Sequence, residues 1–439
     1  MKSVLEPARQ LPVIKSVDVL VCGGGPAGFI AAIAAARNGA KTLLIERYGF
    51  LGGMATASFV GPISRFKVRG QFAVQGIPWE FVERMAQKGG AVTDLYSGNV
   101  PFDTEVYKLV SMQMVRESGA ELLFHSYAVG VLQDAEHPGK CSYVTIESKS
   151  GRQVIEAKYI IDCTGDADIV EFAGLPYERS NTESGQTQPM TLYFRMGGVN
   201  TDEMEELMMA EDGVGHVQQL HDRMKEAREK GELPLFGGPW IQHGSTLHPG
   251  EVSANVTRYP GNAVDVTSLT EAEYTTRENM FDLLPFLRAN MPALRNAHLI
   301  ASGTQVGIRE SRRIQGLYQM TQEDVLESKD FHDTVAKGAH PIDIHSAKSN
   351  SQQLTWLKEP YNIPYRALIP KTSANILVAG RCISATREAF ASIRVQAQCM
   401  ALGQAAGTAA AMCSAADLAV DELDGASLRE RLAAQGALV

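Results

Sequence analysis

A short apolar run at residues 17–22 is the first strong signal along the chain. Only Asp18 interrupts it, and its high valine content predicts a strand buried in a sheet. Small and apolar residues from Gly28 onward predict a helix that ends at Gly39, and residues 41–45 predict a second buried strand. Strand, helix and strand in this order indicate a βαβ unit and therefore a parallel sheet.

Glycines mark the junction between the first strand and the helix. Gly23, Gly25 and Gly28 form the pattern G-x-G-x-x-G, with Pro26 and Ala27 in the same loop. The first glycine permits a tight turn, the second lets the backbone approach a pyrophosphate, and the third lets the helix pack closely on the strand. The free N–H groups and positive dipole end of the helix also favour phosphate. The pattern therefore predicts a dinucleotide cradle.

The nature of the dinucleotide depends on two further features. Glu46 stands at the tip of the second strand, where a carboxylate accepts hydrogen bonds from a ribose and disfavours the 2′-phosphate of NADP. The βαβ pattern alone leaves NAD and FAD open. The segment "NILVAGRCISA" restores the strand-and-glycine pattern near the C-terminus, and a return to the same sheet favours FAD over NAD.

The remaining pattern predicts the organisation of the chain. Residues 104–116 have the period of an amphipathic helix, and residues 141–165 predict a hairpin around Gly151 followed by one more buried strand. From about Asn181 the residue pattern changes and predicts charged helical segments and loops. We therefore predict an α/β fold in which a discontinuous Rossmann-type domain carries an inserted α+β substrate domain, with boundaries at 1–180, 181–300 and 301–439.

Composition and charge narrow the class of protein. The 439 residues carry a formal net charge of −9 without a basic tract, which argues against a nucleic-acid partner. The first sixteen residues lack signal-peptide features, and the most apolar stretch is a poor membrane span. Six cysteines occur without C-x-x-C, and the His and Cys residues show no metal-ligand spacing. We expect a cytoplasmic protein without a metal or a membrane partner; the oligomeric state stays open.

Several segments carry a resemblance to a known family. They are "CGGGPAGFIAAIAAARNG", "ERYGFLGGMAT", "YIIDCTGDAD", "VGIRESRRIQG", "PYRALIP" and "NILVAGRCISATREAFASIRVQAQCMALGQAAG", and they follow one another over almost the whole chain. The sequence resembles the FAD-dependent oxidoreductases with a glutathione-reductase-like FAD fold, and more narrowly a bacterial group of that description. The resemblance implies FAD as cofactor, which we expect to be bound non-covalently.

The resemblance also implies roles by position. Gly23, Gly25 and Gly28 would hold the pyrophosphate. Glu46 and Arg47 would hold the adenosine ribose, and the backbone of Val129 would contact the adenine. The path to the flavin and its ribityl chain would be lined by Gly52, Gly53, Met54, Thr164, Gly165, Gly380 and Arg381. Ser392, Ile393 and Arg394 would begin the last helix, whose dipole would face the N1–C2=O edge of the flavin.

Arginines are candidates for substrate binding. Arg309 and Arg312 are spaced i, i+3, so a helix would place them on one face, either beside the flavin or in internal ion pairs. Arg387 stands where the resembled family tends to have a His, which implies a role in charge rather than proton transfer. Together with Arg394 these residues would form an electropositive pocket for an anionic or oxygen-rich substrate.

Histidines are candidates for proton transfer. His243 and His248 in "WIQHGSTLHPG" are favoured, with His345 and Tyr259 as further candidates, although each alone is more typical of a loop or surface residue. We expect an oxidoreductase that transfers hydride between a small polar substrate and flavin N5, with an unidentified electron acceptor. The alternatives are a flavin-dependent isomerase or hydratase without net redox, and a non-catalytic or RNA-modifying flavoprotein.

Overall fold

The computed structural model describes residues 2–133, 140–179, 187–204, 213–346, 349 and 351–439. Its strands are β1 (Val13–Cys22), β2 (Thr42–Ile45), β3 (Lys67–Val68), β4 (Gln71–Phe72), β5 (Glu121–Leu123), β6 (Tyr127–Gln133), β7 (Cys141–Ser148), β8 (Gly151–Asp162), β9 (Tyr177–Glu178), β10 (Phe194–Gly197), β11 (Phe236–Gln242), β12 (Val252–Thr257), β13 (His298–Ser302), β14 (Arg313–Ile314), β15 (Thr334–Gly338), β16 (Ile342–His345), β17 (Gln352–Thr355), β18 (Tyr361–Pro364) and β19 (Ile376–Val378).

The helices are α1 (Pro26–Arg37), α2 (Met54–Ala57), α3 (Ile77–Gln87), α4 (Thr104–Glu117), α5 (Asp168–Phe172), α6 (Gly213–Glu229), α7 (Val266–Asn290), α8 (Gln322–Leu326), α9 (Arg387–Ile393), α10 (Gln396–Ala416) and α11 (Gly425–Ala434), with short 3-10 turns at Pro292–Leu294 and Tyr365–Leu368. In the part of the chain that these elements cover, no helix has the length and apolar character needed to cross a membrane.

The first βαβ unit forms as the apolar pattern predicts. Strands β1 and β2 are parallel neighbours in a sheet with the order β5-β2-β1-β8-β7-β6, and helix α1 connects them. The side chains of β2 and the last four residues of β1 are buried, as expected for central parallel strands covered on both faces. The carboxyl ends of β1, β2 and β8 therefore point to one common edge of the sheet.

Strand β8 is longer than the sequence pattern suggests. The predicted hairpin arm and the predicted separate buried strand are one continuous strand, because no turn residue interrupts residues 151–162. The first part of β8 pairs antiparallel with β7 from Gly151 to Glu156. Its last three residues pair parallel with β19, on the edge opposite β1.

The C-terminal segment returns to the first sheet, as its strand-and-glycine pattern predicts. Strand β19 joins β8, and helix α10 then packs on helix α1. A Cβ atom at Gly403 would lie 2.1 Å from the Ala27 carbonyl oxygen, and one at Gly407 would lie 2.2 Å from that of Ala31. The two helices approach so closely because both are built of small residues, and this contact joins the two ends of the chain.

The middle of the chain forms a second sheet with its own core. Strands β11, β12, β10 and β13 pair antiparallel in this order. Side chains of this sheet pack with those of α6 and α7 in an apolar cluster that includes Phe194, Met224, Phe236 and Leu283. Strand β13 continues to Ser302, so the sheet extends past the predicted boundary at residue 300. The predicted boundary between residues 180 and 181 lies outside the described residues.

The segment that carries Arg309 and Arg312 is not a helix, so the prediction of one shared helical face is wrong. Its backbone bonds to neighbouring segments instead: the Gly307 N–H donates to the Thr191 carbonyl at 2.7 Å. The buried Glu310 carboxylate accepts from the backbone N–H of Gln188 at 2.8 Å. These lateral bonds hold the segment extended, and the arginines therefore point to different surroundings.

Candidate functional site

A long cavity of about 600 Å³ opens at the carboxyl ends of the parallel strands. Its wall includes the residues that follow β1, β2, β8 and β19, namely Gly23, Glu46, Thr164 and Gly380. Ligands of open α/β sheets bind in this position, beyond the carboxyl ends of the strands. The cavity continues from there to the second sheet, where Trp240, Gln242 and Asn255 line it.

The three glycines of the cradle have different structural roles. Gly23 has φ +102°, and a Cβ atom on it would lie 2.5 Å from the Cys163 carbonyl oxygen. Gly28 lies behind the cavity wall, where a Cβ atom would lie 1.7 Å from the Gly23 carbonyl oxygen. Gly25 has φ −67°, and the nearest atom to an added Cβ is the Gly53 Cα at 3.9 Å. Gly28 therefore permits helix packing, whereas Gly25 leaves the cavity free of side chains.

Glu46 lies at one end of the cavity and is 6% exposed. Its carboxylate accepts the Gly24 N–H at 2.6 Å and the Tyr48 N–H at 2.9 Å. Burial raises the pKa of Glu46, and these two hydrogen bonds oppose the rise. The carboxylate is thus held rigidly between the cradle and the end of β2, with lone pairs left for a ligand hydroxyl.

Asp162 organises the loop after β8. Its carboxylate accepts the Thr164 N–H at 3.0 Å, the Thr164 hydroxyl at 2.7 Å and the Ile169 and Val170 N–H groups at 3.0 and 3.2 Å. The residue is fully buried, and burial raises its pKa. Asp162 therefore shapes the loop that brings Thr164 and Gly165 to the cavity, although it does not line the cavity itself.

Two aspartates of the same loop line the cavity beside arginines. Asp166 pairs with Arg381, whose Nη1 also donates to the Ile308 carbonyl at 3.1 Å. Asp168 begins helix α5 and accepts from Arg312 at 2.9 Å. Burial, together with the charges of Asp166 and Asp162, raises the pKa of Asp168 to about 7, against the lowering effect of Arg312.

The structure brings most of the predicted cofactor residues to the cavity. Those that line it are Gly23, Gly25, Pro26, Ala27, Glu46, Arg47, Gly53, Met54, Thr164, Gly165, Gly380, Arg381 and Arg394. Those that do not are Gly28, Gly52, Val129, Ser392 and Ile393. At Gly52 a Cβ atom would meet Thr56 and Tyr107 in the core, and Ala128 takes the place predicted for Val129.

Ser392 and Ile393 are buried at the end of helix α9 rather than at the start of the last flavin-facing helix, so that prediction is wrong. The Ser392 hydroxyl lies 2.8 Å from the Tyr361 hydroxyl, inside the core. The long helix α10 begins at Gln396, and both Gln396 and the N-cap residue Val395 line the cavity. The helix N-terminus therefore reaches the cavity, but from a later position in the chain.

The far end of the cavity is rich in buried arginine. Arg309 lines it and donates to the Pro189 carbonyl at 2.7 Å and to Asn255 Oδ1 at 3.2 Å. Arg258, 3% exposed, donates to Asn255 Oδ1 at 2.8 Å and leaves its Nη2 without a partner among the described residues. Arg394 donates to the Gln188 amide oxygen at 3.3 Å. Burial lowers the pKa of Arg309 to about 10, and it also lowers the pKa of Arg258.

An aspartate and two histidines complete this end. His345 Nε2 lies 3.0 Å from Asp343 Oδ2, and both residues line the cavity. Burial, with the positive charge of Arg309, lowers the pKa of His345 to about 3. Burial alone would raise the pKa of Asp343, but its hydrogen bond with His345 and the charge of Arg394 hold it well below the ordinary value. Burial also lowers the pKa of His340 to about 4.

The structure separates the five residues predicted to be catalytic. Arg309 lines the cavity, whereas Arg312, Arg387, His243 and His248 do not. Arg312 is bound to Asp168 and Glu171, and the nearest acid to Arg387 Nε is Glu310 at 3.9 Å. The His248 side chain is 60% exposed and pairs with Asp103 at 2.9 Å. His243 is half-buried beside the cavity residues Gln242 and Gly244.

Sequence reasoning missed His340 and Asp343, which line the cavity, and Arg258, which binds Asn255 of the cavity wall, and it ranked His345 below His243 and His248. One signal was present: in "HPIDIHS" Asp343 and His345 are alternate residues of a strand, and alternate residues of a strand share a face. Arg258 had no such signal, because its partner Thr191 lies 67 positions away in the sequence.

The residues present fit FAD. The cradle is free of side chains at Gly25, Glu46 stands at one end of the cavity, and the start of α10 reaches it further along. Arg381 Nε and Gln396 Oε1 are buried polar atoms that have no hydrogen-bond partner among the described residues, as expected where a polar cofactor binds. In the described part of the chain no group of His, Cys, Asp and Glu could hold a metal ion.

Comparison with known proteins identifies relatives for part of the chain. Over 194 residues it is 27% identical to digeranylgeranylglycerophospholipid reductase of Methanocaldococcus jannaschii, covering 40% of this chain and 49% of the relative. Over 183 residues it is 40% identical to leghemoglobin reductase of Glycine max, covering 38% of this chain and 30% of the relative. The chain thus matches about half or less of the length of these relatives.

Solved structures match over more of the chain at lower identity. A geranylgeranyl bacteriochlorophyll reductase-like protein of Thermoplasma acidophilum has a TM-score of 0.46 and 14% identity, covering 96% of this chain and 83% of that chain. The flavin-dependent brominase Bmp2 has a TM-score of 0.49, with 14% identity and the same coverage of both chains. A family profile described as FAD dependent oxidoreductase matches residues 18–432. This match spans nearly the whole chain, which therefore belongs to the FAD dependent oxidoreductase family of flavoenzymes.

Proposed function

We propose that this flavoenzyme transfers hydride between a small anionic substrate and flavin N5. The observation that supports the proposal is the arginine group at the end of the cavity away from Glu46, where Arg309 and Arg394 line the cavity and the buried Arg258 binds Asn255 of its wall. When bound, FAD supplies the two-electron acceptor or donor for such a reaction. The chain's own residues then have to bind the anion, orient it and move the proton.

Charge balance is the first argument for an anionic substrate. Burial is the main cause that lowers the pKa of Arg258 and Arg309; the positive charge of Arg394 acts in the same direction on both, and Tyr193 and Asp343 oppose it. Against these three positive charges stands the carboxylate of Asp343, since His345 is neutral at pH 7. Arginine keeps its proton in proteins, so the three guanidinium groups carry three positive charges against one carboxylate. A substrate carboxylate would supply further negative charge.

Geometry is the second argument. The guanidinium groups of Arg258 and Arg309 are held by neutral oxygen atoms of Pro189, Thr191 and Asn255, whereas Arg394 also pairs with Asp343. Such bonds fix the direction of the N–H groups without neutralising their charge. Guanidinium groups in this condition suit bidentate binding of a carboxylate. Trp240 and Trp356 also line the cavity and are 39% and 59% exposed, which leaves apolar surface beside the charged end.

Finer assignments within the family are also part of the proposal. We assign Gly23, Gly25 and the start of α1 to the pyrophosphate, Glu46 and Arg47 to the adenosine ribose, and Arg381 to the phosphate end of the ribityl chain. A glutathione-reductase-like subtype is supported by the return of β19 to the first sheet. The electron acceptor is unidentified. A cytoplasmic location agrees with six buried free cysteines.

Anaerobic bleaching of the flavin absorbance tests the function. We would mix the FAD-loaded protein with glycolate, lactate, malate and gluconate, each beside a neutral counterpart such as glycolamide or glucose. The proposal expects bleaching by at least one of these acids and none by its neutral counterpart. Bleaching by the neutral compounds alone would contradict it. Conversion of an acid without any flavin reduction would favour the isomerase or hydratase alternative.

Arg309→Met and Arg312→Met form a matched pair for this test. Both replace a buried guanidinium by a side chain of similar length, but Arg309 lines the cavity and Arg312 does not. The proposal requires that Arg309→Met weakens binding of the reactive acid with FAD still bound, and that Arg312→Met leaves this binding unchanged.

A further inference from the structure

We propose that the Nδ1 atom of His345 accepts the hydroxyl proton of the substrate, with Asp343 as the residue that positions its imidazole. The inference rests on the proposed function and names a group that the reaction needs. Oxidation of a carbinol to a carbonyl removes a hydride from carbon, which FAD takes up in the proposed function, and a proton from oxygen. The proton requires a base in the cavity, within hydrogen-bond reach of the substrate.

The position of His345 is the first step of the argument. It is the last residue of β16, it is 6% exposed, and it lines the cavity beside Arg309. Its backbone N–H donates to the Gln188 amide oxygen at 3.3 Å, and the same oxygen accepts from Arg394. The strand and the Gln188 amide therefore fix the backbone of His345 next to the arginines that would hold the substrate carboxylate.

The hydrogen bonds of His345 determine which of its ring nitrogens can accept a proton. Nε2 lies 3.0 Å from Asp343 Oδ2, and a carboxylate can only accept, so Nε2 carries the proton. Among the described residues no hydrogen bond is made by His345 Nδ1. A neutral imidazole with a protonated Nε2 has its lone pair on Nδ1, and that lone pair is the proton acceptor.

Asp343 is itself fixed on several sides. Gln352 donates to its Oδ1 at 2.7 Å, and Arg394 lies 3.4 Å from its Oδ2. The carboxylate therefore stays ionised and in place while the imidazole changes its charge. Once Nδ1 has taken a proton, the imidazolium lies against this carboxylate, which stabilises it as in other acid–histidine pairs.

Burial and the charges around His345 keep the free imidazole unprotonated. Arg309 and Arg258 oppose protonation of the imidazole, and Asp343 favours it. In the free protein burial and the arginines prevail, so the ring is neutral over the physiological range. A bound carboxylate would offset the arginine charges and thus raise the proton affinity of Nδ1 in the complex.

The other histidines are weaker candidates for this role. His340 also lines the cavity, but its Nδ1 lies 2.8 Å from the Pro341 carbonyl oxygen, so a backbone dipole rather than a carboxylate would stabilise its charged form. His248 pairs with Asp103 at the surface, outside the cavity. His345 combines access to the cavity with a buried acid.

Nitrogen-15 NMR of histidine-labelled, FAD-loaded protein tests the proton position directly. The signals that disappear in His345→Gln identify His345. We expect the neutral form with a protonated Nε2 at pH 7, and a mixture of both neutral forms in Asp343→Ala, because the acceptor that selects one of them is gone. Addition of oxalate, an unreactive dianion, should shift the titration of His345 to higher pH. A protonated Nδ1 at pH 7 in the wild-type protein would overturn the proposal.

Single-turnover bleaching supplies the second measurement, with the four acids glycolate, lactate, malate and gluconate. His345→Gln should slow the bleaching by roughly 10²- to 10⁴-fold, the usual contribution of a general base, while the dissociation constant of the acid stays near the wild-type value. His248→Gln serves as the control and should react like the wild type, and His340→Gln should lose less than His345→Gln. Equal losses in the His340 and His345 variants, or none in His345→Gln, would refute the role of His345. If no acid bleaches the wild-type flavin, the proposed function fails, and the NMR result still decides the proton position.

Discussion

The two ends of the cavity differ in whether backbone or side chains form them. The cradle end is formed by backbone from a few consecutive residues after each parallel strand, with glycine where a side chain would intrude. The cationic end is formed by side chains that arrive from five distant segments, represented by Gln188, Arg258, Arg309, His345 and Arg394. A binding site formed by backbone depends on free space and on the direction of its N–H groups. A binding site formed by side chains depends on their charge and on the hydrogen-bond partners that orient them.

Charge also differs between the two ends. Acidic side chains line the cradle end and its neighbouring loop, namely Glu46, Asp166 and Asp168. Arginine charge dominates the cationic end, where Asp343 is the acid that faces it. Acidic groups near a dinucleotide suit its ribose hydroxyls, and uncompensated arginine suits a substrate anion. Variants at the two ends should therefore fail in different ways.

The sharpest contrast lies within the cradle, between Gly25 and Gly28. We expect Gly25→Val to fold and to lose FAD completely, because its φ of −67° suits valine and its new side chain would enter the open cavity. Gly28→Val should instead lose the fold, by roughly 3 kcal/mol or more, since its Cβ would overlap the Gly23 carbonyl oxygen. Flavin content after purification and urea unfolding distinguish the two outcomes. Full flavin occupancy in Gly25→Val would show that the cradle has been placed wrongly.

The cationic end should lose ligand affinity without losing the cofactor. Arg309→Met is expected to weaken binding of the reactive acid by about 2–5 kcal/mol, the usual cost of removing one partner of a buried charge pair. Arg312→Met should leave that binding intact and instead reduce the free energy of unfolding by about 1–3 kcal/mol, because Asp168 and Glu171 lose their counter-ion. Titration of the flavin absorbance and urea unfolding measure the two quantities. Equal effects of the two variants on ligand binding would remove the distinction between them.

This contrast explains how far the sequence could predict the site. Gly23, Gly25, Glu46 and Gly380 follow strands that the apolar pattern identifies, so local sequence is enough to place them. Arg309 and Arg312 differ by three positions, yet one lines the cavity and the other binds helix α5, because lateral hydrogen bonds at Gly307 and Glu310 prevent a helix. No local pattern contains that information.

The same reasoning applies to larger elements. The return of β19 to β8 was predictable, since a buried strand followed by glycine repeats the pattern of β1. The sequence did not predict that residues 151–162 form one continuous strand. An apolar pattern does not show where a strand changes from one partner strand to another. Buried groups such as Arg258 and Asp343 were missed for a similar reason, since their partners Thr191 and Arg394 are distant in the sequence.

Glu46→Ala should reduce ligand affinity less than Gly25→Val or Arg309→Met. The carboxylate accepts two backbone N–H groups and faces the cavity, and its loss leaves Gly24 N–H and Tyr48 N–H without this acceptor. We expect FAD affinity to fall by about 1–3 kcal/mol, the scale of a charge-assisted hydrogen bond. Equilibrium dialysis of FAD against the variant measures this, with Glu46→Gln as the control that retains an acceptor oxygen. Unchanged affinity in Glu46→Ala would argue against a contact with the ribose.

The smallest expected effect concerns the pH dependence of stability at the cradle end. The pKa of Asp168 is about 7 in the folded chain and about 3.9 for an unperturbed aspartate. Between these values the folded chain binds a proton that the unfolded chain has released, so the contribution of Asp168 to stability is largest below pH 4 and falls as the pH rises to 7. The side chain is 28% exposed, which limits the effect to about 1–2 kcal/mol.

Asp168→Asn removes this titration, and the comparison with the wild type isolates it from the other ionisable groups. The variant loses a charge pair with Arg312 at every pH at which Asp168 is ionised, so the absolute difference in unfolding free energy is less informative than its slope. From pH 5 to 7.5 the stability of the variant should rise relative to that of the wild type, and it should level off above pH 7.5. Phosphate charges bound nearby would act in the same direction, since they also disfavour the carboxylate. Urea unfolding at saturating FAD, at half-unit intervals of pH, measures the slope. A difference that is flat across this range would show that Asp168 stays ionised, and that Arg312 outweighs burial and the two neighbouring aspartates.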